Sequence, residues 1–172
     1  MCLDEVRVKA YREALAKTSK DRTVIDVGAG TGILSFASVE GGAKMVFAIE
    51  RAGIVGRCQR EVSRRGLKKI VKVMNCTAEE APLEGITADT IVSEWMGYFL
   101  LFERMLPSVL AVRDKCLVPG GLMVPGQARI IVAGAVIPNI TNKIVKLGSD
   151  DSITIEALVQ EVSADSMIST NS

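Results

Sequence analysis

The run Thr23-Val24-Ile25-Asp26-Val27, broken at once by three glycines in Gly28-Ala29-Gly30-Thr31-Gly32 and followed by Ile33 to Val39, constrains the fold more than any other feature of the chain. β-Branched residues, a glycine turn and a helix-compatible stretch read as a strand feeding a helix. The alternation continues, with strands at Met45 to Ile49, Ile70 to Met74, Thr90 to Val92 and Leu122 to Val124, and helices at Ile54 to Arg65 and around Arg104 to Lys115. An amphipathic entry helix, Asp4 to Lys17, precedes them. Strands alternating with helices predict an α/β fold with a doubly wound, mostly parallel sheet covered on both faces. Pro107 fits its helix if the helix starts near Glu103 or Arg104, because first-turn N–H groups have no intrahelical partner and proline gives up nothing there.

At 172 residues, 48% of them hydrophobic, the chain can bury one core and is too short for two full domains. After Pro125 the texture changes, so residues 1–126 form the expected domain and 127–172 a separate segment. In that segment Ala128 to Val136 reads as a strand, and a polar tail from Gly148 surrounds the apolar patch Ile155 to Val162. Lysine and arginine total 21 against 20 acids, so no overall field recruits nucleic acid or an anionic membrane. Cys2, Cys58, Cys76 and Cys116 form no C-x-x-C pair, and the chain has no histidine, so no metal site is expected. Reduced thiols, the absence of a signal-peptide pattern and a longest apolar run of only Ile130 to Pro138 predict a soluble protein of the cytoplasm, the nucleus or both.

The glycine turn sits at a strand end and opens a helix, which is where α/β sheets bind nucleotide-like ligands. Its spacing is G-x-G-x-G, and Ile33 stands where a dinucleotide fingerprint wants its third glycine. That disfavours a nicotinamide dinucleotide and suits S-adenosylmethionine, which carries no phosphate; a tight turn without a ligand is the plainer alternative. Glu50 ends the second strand about 20 residues further on, where an acid accepts from ribose hydroxyls. Glu79 and Glu80 follow the third strand, placed either to meet an adenine amino group or simply to be solvated. Glu94 leaves the fourth strand in Ser93-Glu94-Trp95-Met96-Gly97-Tyr98, and Glu103 follows nine positions later at the expected helix N-terminus, where the helix dipole favours an anion. Two unrelated surface glutamates would be ordinary, but two carboxylates bracketing one loop make a natural clamp for a guanidinium, a flat fork of donors that stays protonated in water.

The stretches VIDVGAGTGILS, AIE, SEWMGYFLLFERML and VRDKCLVPGGLMVP resemble the methyltransferase half of the protein arginine N-methyltransferases, from about Asp4 to Pro125. The resemblance implies a Rossmann-like class I S-adenosylmethionine-dependent methyltransferase fold, followed by the start of a truncated β-barrel. It implies that Arg7 pairs with the cofactor's carboxylate, that Asp26, Gly28 and Gly30 line the cofactor, that Glu50 takes the ribose and Glu79 the adenine. Glu94 and Glu103 become the catalytic pair, with Trp95, Met96 and Met105 in the substrate pocket. Met1 and Met105 match methionines of members that make asymmetric dimethylarginine. Implied substrates are protein segments rich in arginine or in glycine and arginine, such as histone tails and RNA-binding proteins. Implied partners are a second copy or a full-length family member, with no direct contact to nucleic acid or membrane. Family members also carry a tyrosine-rich helix ahead of the DEVR stretch, most of a barrel, a dimerisation arm and a threonine-histidine-tryptophan loop that have no counterpart here. A catalytically inactive relative that regulates a complete enzyme is therefore the rival expectation, and the run Ile130 to Ile137, read as an open strand edge, predicts self-association.

Overall fold

A computed structural model describes residues 4–131. The chain divides into two compact units, Met1–Arg129 and Ile130–Ser172, and every element below belongs to the first. Helix α1 spans Glu5–Thr18, opened by Asp4, whose carboxylate accepts from the Arg7 N–H at 3.0 Å as an N-cap should. It is followed by β1 (Thr23–Val27), α2 (Ile33–Glu40), β2 (Met45–Ile49), α3 (Val55–Arg64), β3 (Val71–Met74), β4 (Ala88–Val92), α4 (Leu106–Cys116) and β5 (Leu117–Val124). The five strands form one parallel sheet in the order β3-β2-β1-β4-β5. Chain order reverses between β1 and β4, so a crevice opens beyond the carboxyl ends of these two strands.

Period-two alternation sends each strand's side chains to both faces, and both are covered. Val24, Val46 and Ala48 join a buried cluster with Tyr11 and Leu15 of α1, Leu34 and Phe36 of α2 and Cys58 and Val62 of α3. Ile25, Val27, Ile49 and Ile91 point the other way, into a cluster with Val109, Val112 and Cys116 of α4 and with Ala81 and Leu83 of the loop before β4. Fully burying a side chain such as Ile25 or Leu15 contributes about 1.5–3 kcal/mol, so the two apolar layers are what hold the sheet's upper edge fixed.

The architecture is the doubly wound parallel one that the sequence predicts. The β4 to β5 pairing shifts register between Ala88↔Leu117 and Thr90↔Leu122, a bulge that absorbs Gly120 and Gly121; the expected strand Leu122 to Val124 is its regular end. One expectation is corrected. Helix α4 starts at Leu106, not near Glu103 or Arg104, because Arg104 adopts a left-handed φ of 50° that no helix can include. Pro107 still lies in the first turn, but Glu103 sits in the preceding loop, without the helix-dipole support expected for it. Residues 128–131 carry no strand. The rest of the expected strand Ala128 to Val136, the apolar run to Ile137 and the patch Ile155 to Val162 lie outside the described residues, as does Met1.

Candidate active site

The carboxyl ends of β1 and β2, the loop after β3 and the loop after β4 enclose one cleft of about 490 Å³. Gly28 forms its floor. Gly28 and Ala29 both donate to the Ile49 carbonyl at 2.9 Å, folding the loop back over β2. Gly28 takes a φ of 76°, and a Cβ there would run into the Met105 methyl, so only glycine lets the backbone meet both a ligand and Met105. Asp26 lies under the loop, fully buried and outside the cleft; one carboxylate oxygen accepts from the Ser35 hydroxyl at 2.6 Å and the other has no partner. Burial pushes its pKa up to about 7 despite that hydrogen bond.

Glu50 is fixed before any ligand arrives. One carboxylate oxygen accepts from the Gly30 N–H at 2.8 Å and the other from the Ala52 N–H at 2.7 Å, leaving further lone pairs turned to the cleft. Of the paired glutamates, Glu79 lines the cleft, whereas Glu80 is folded back onto Thr77, whose hydroxyl donates to it at 2.9 Å. Glu79 accepts from the Ser108 hydroxyl at 2.5 Å, and that hydrogen bond holds its carboxyl below the usual range.

At the other end of the cleft the structure brings Glu94 and Glu103 together on one wall with Met105. Glu94 continues β4, and its base is pinned by Ser93, whose hydroxyl donates to the Val27 carbonyl at 2.7 Å, and by Tyr11, whose hydroxyl donates to the Ser93 carbonyl at 3.0 Å. Arg7 reaches over from α1 and donates to Glu94 at 2.7 Å. The loop then turns through a narrow bridge between Gly97 and Leu100. Gly97 packs directly on Glu103: a Cβ there would sit 2.5 Å from the Glu103 Cγ and 2.9 Å from its backbone nitrogen. Trp95 and Met96 are not on this wall. Trp95 is buried and faces a neighbouring apolar cavity of about 290 Å³ with Leu100, Leu101 and Pro107, and Met96 packs between the two core clusters.

The expectations from sequence omit five lining residues with polar or titratable side chains, Arg51, Cys76, Thr77, Arg104 and Ser108. Ser108 had one visible signal, a polar residue on a helix whose neighbours Val109 and Val112 are buried. Among the described residues no group of acids and cysteines could hold a metal ion, and no helix is long and apolar enough to cross a membrane.

A parallel sheet of this order, with a glycine turn, an acid just after the second strand and a crevice at its carboxyl edge, is the Rossmann-like architecture that the class I methyltransferases share. The family model described as ribosomal protein L11 methyltransferase (PrmA) matches residues 2–123. Protein arginine N-methyltransferase 6 of Xenopus tropicalis is 45% identical over 136 residues, which is 77% of this chain and 40% of that protein. Protein arginine N-methyltransferase 1 of Oryza sativa is 44% identical over 133 residues, 76% of this chain and 34% of that one. Among solved structures, protein arginine methyltransferase 10 of Arabidopsis thaliana superposes with a TM-score of 0.69 at 39% identity, covering 72% of this chain and 36% of its own. The PRMT1 enzyme-prozyme heterotetrameric complex of Trypanosoma brucei, solved with AdoHcy, superposes with a TM-score of 0.68 at 37% identity, covering 72% and 39%. The chain belongs to the protein arginine N-methyltransferase family. It spans 40% or less of the length of these curated relatives.

Proposed function

We propose that the chain transfers a methyl group from S-adenosylmethionine to a guanidinium nitrogen of arginine in a protein. The observation that carries this reading is the single cleft that holds Gly28, Glu50 and Glu79 at one end and both Glu94 and Glu103 at the other. The residues fit the cofactor: Gly28 gives the close backbone approach, the fixed Glu50 carboxylate suits a ribose diol, and Glu79 suits an adenine amino group. When bound, the cofactor supplies an electrophilic methyl group on a sulfonium. The chain's task is to aim the nucleophile at it. Glu94 and Glu103 grip the guanidinium, concentrate its positive charge on the gripped nitrogens and leave the remaining nitrogen more electron-rich, so that alignment and electrostatics lower the barrier. With no histidine in the chain, the proton leaves to solvent or to a carboxylate.

The resemblance of Met105 to its counterpart in the asymmetric-type members, together with its place beside Glu103 and over Gly28, supports the asymmetric product. Substrates are segments rich in arginine and glycine, and the free thiols Cys58, Cys76 and Cys116 support a reducing compartment, cytoplasm or nucleus. Labelled methyl transfer to an arginine- and glycine-rich peptide tests the reading. The purified chain labels the peptide, and Glu94→Gln abolishes transfer while S-adenosylhomocysteine still binds; equal turnover by the variant would remove Glu94 from the mechanism. A second reading, a partner of a complete family member, draws support from the enzyme-prozyme complex of Trypanosoma brucei. It predicts no labelling by the chain alone and a gel-filtration shift on mixing with a full-length relative.

A further inference from the structure

The sheet order lays the cleft out as a line. Glu79 follows β3, Glu50 ends β2, Gly28 follows β1 and Glu94 follows β4, and the strands lie side by side in that sequence. A ligand with adenine at Glu79 and ribose at Glu50 runs past Gly28 and delivers its amino-acid carboxylate toward β4, where Arg7 stands. Arg7 is already engaged there: its Nη1 lies 2.7 Å from the Glu94 Oε1, and its Nε lies 3.1 Å from the Asp4 Oδ2. Its reach is set by α1, since Tyr11, one helical turn on and on the same face, is buried against Ser93 next to Glu94.

The carboxylate that is to grip the substrate guanidinium thus holds a guanidinium of the chain itself. With Arg7 on Glu94 the pair is neutral and offers an incoming arginine little attraction, and Glu94, with only 19% of its side chain exposed, has limited room for two such partners. We propose that Arg7 couples the two binding events: the cofactor's carboxylate draws Arg7 away from Glu94 and so frees Glu94 for the substrate arginine. The coupling rests on the methyltransferase reading above. It is reciprocal, because any factor by which cofactor tightens the arginine substrate is the factor by which that substrate tightens cofactor.

The test is the dissociation constant of an arginine- and glycine-rich peptide for the purified chain, with and without saturating S-adenosylhomocysteine, which keeps the carboxylate and lacks the methyl. The wild-type chain binds peptide about tenfold more tightly in its presence, within the usual range of such couplings. Arg7→Gln binds peptide equally in both conditions, at the level of the loaded wild type, a gain that loss of a merely structural contact would not produce. Arg7→Lys, which keeps the charge, retains part of the dependence. Equal wild-type affinities in the two conditions overturn the coupling and leave the function standing. Weaker peptide binding by Arg7→Gln, with an unchanged circular dichroism spectrum, also overturns it. Peptide that binds in neither condition, although S-adenosylhomocysteine binds, sinks the arginine-acceptor reading and the coupling together.

Discussion

The two ends of the cleft are built differently. At the glycine-loop end Gly28 and Ala29 are held by the Ile49 carbonyl and Glu50 by two N–H groups, Glu79 alone is held by a side chain, the Ser108 hydroxyl, and the whole rests on the fully buried Val27 and Ile49. At the double-glutamate end Glu103 hangs on a loop in which Phe99, Leu100 and Arg104 take left-handed φ values, while Tyr98, Phe99 and Phe102 are 75% exposed or more. Non-glycine residues in that region each cost about 1–3 kcal/mol and persist only where surroundings hold them. The glycine-loop end is built into the sheet, and Glu103 is left to a strained, sparsely supported loop.

The largest effect probes the rigid end. Asp26 lies buried beneath the glycine loop with its pKa raised from 3.8 to about 7 by burial, so the folded chain holds a proton there that the unfolded chain releases. The sign follows: the contribution is present below about pH 3.8 and is lost as pH rises to about 7. At about 1.4 kcal/mol per pH unit, it amounts to up to about 4 kcal/mol. The unfolding free energy of the wild type, measured against that of Asp26→Asn, is expected to fall by roughly that amount from pH 4 to pH 7, because the amide adds only a constant offset. Parallel curves would mean that the carboxyl is solvated, and the contrast between a dry end and a loose end would fail.

The next effect probes the loose end. In Gly97→Ala the new Cβ cannot coexist with the Glu103 backbone nitrogen 2.9 Å away, so the loop shifts and carries Glu103 with it. A displacement of about 1 Å from productive geometry costs roughly 100-fold, so transfer falls by about that factor. Binding of S-adenosylhomocysteine, which depends on the other end, stays within twofold. Equal losses in both quantities would show that the two ends are one mechanical unit.

The same contrast governs how much was legible in the sequence. The glycine-loop end announces itself, because backbone geometry of that kind needs particular residues: Gly28, Gly30 and Gly32 all take left-handed φ, and Glu50 closes a strand with the alternation of Val46 and Ala48. The expected strand and helix order holds along its whole described length. The start of α4 does not, because Phe99, Leu100 and Arg104 adopt left-handed backbone without the glycine or asparagine that would signal it, and Pro107 is compatible with several starts within one turn. The resemblance places Trp95 and Met96 in the substrate pocket with the glutamates. Beyond the end of β4, Trp95 is instead buried in the core cluster that includes Ile91, while Glu94 lines the cleft.

Ser108 gives the smallest effect and the finest test of the contrast, because it belongs to α4, which follows the loose loop, but acts on Glu79 at the rigid end. Its hydroxyl is the foremost of the groups that keep the Glu79 carboxylate low in pKa, and both residues line the cleft. Since Glu79 is exposed, water replaces the lost hydrogen bond in Ser108→Ala, and a net contribution of about 0.5–1.5 kcal/mol is the most that can disappear. The expected result is a two- to tenfold weaker dissociation constant for S-adenosylhomocysteine, with the rate of transfer at saturating cofactor unchanged. A fall in that saturated rate would mean that α4 transmits the position of Glu79 to Glu103 through Met105 and Leu106, joining by one helix the two ends that the sheet and the loop otherwise keep apart.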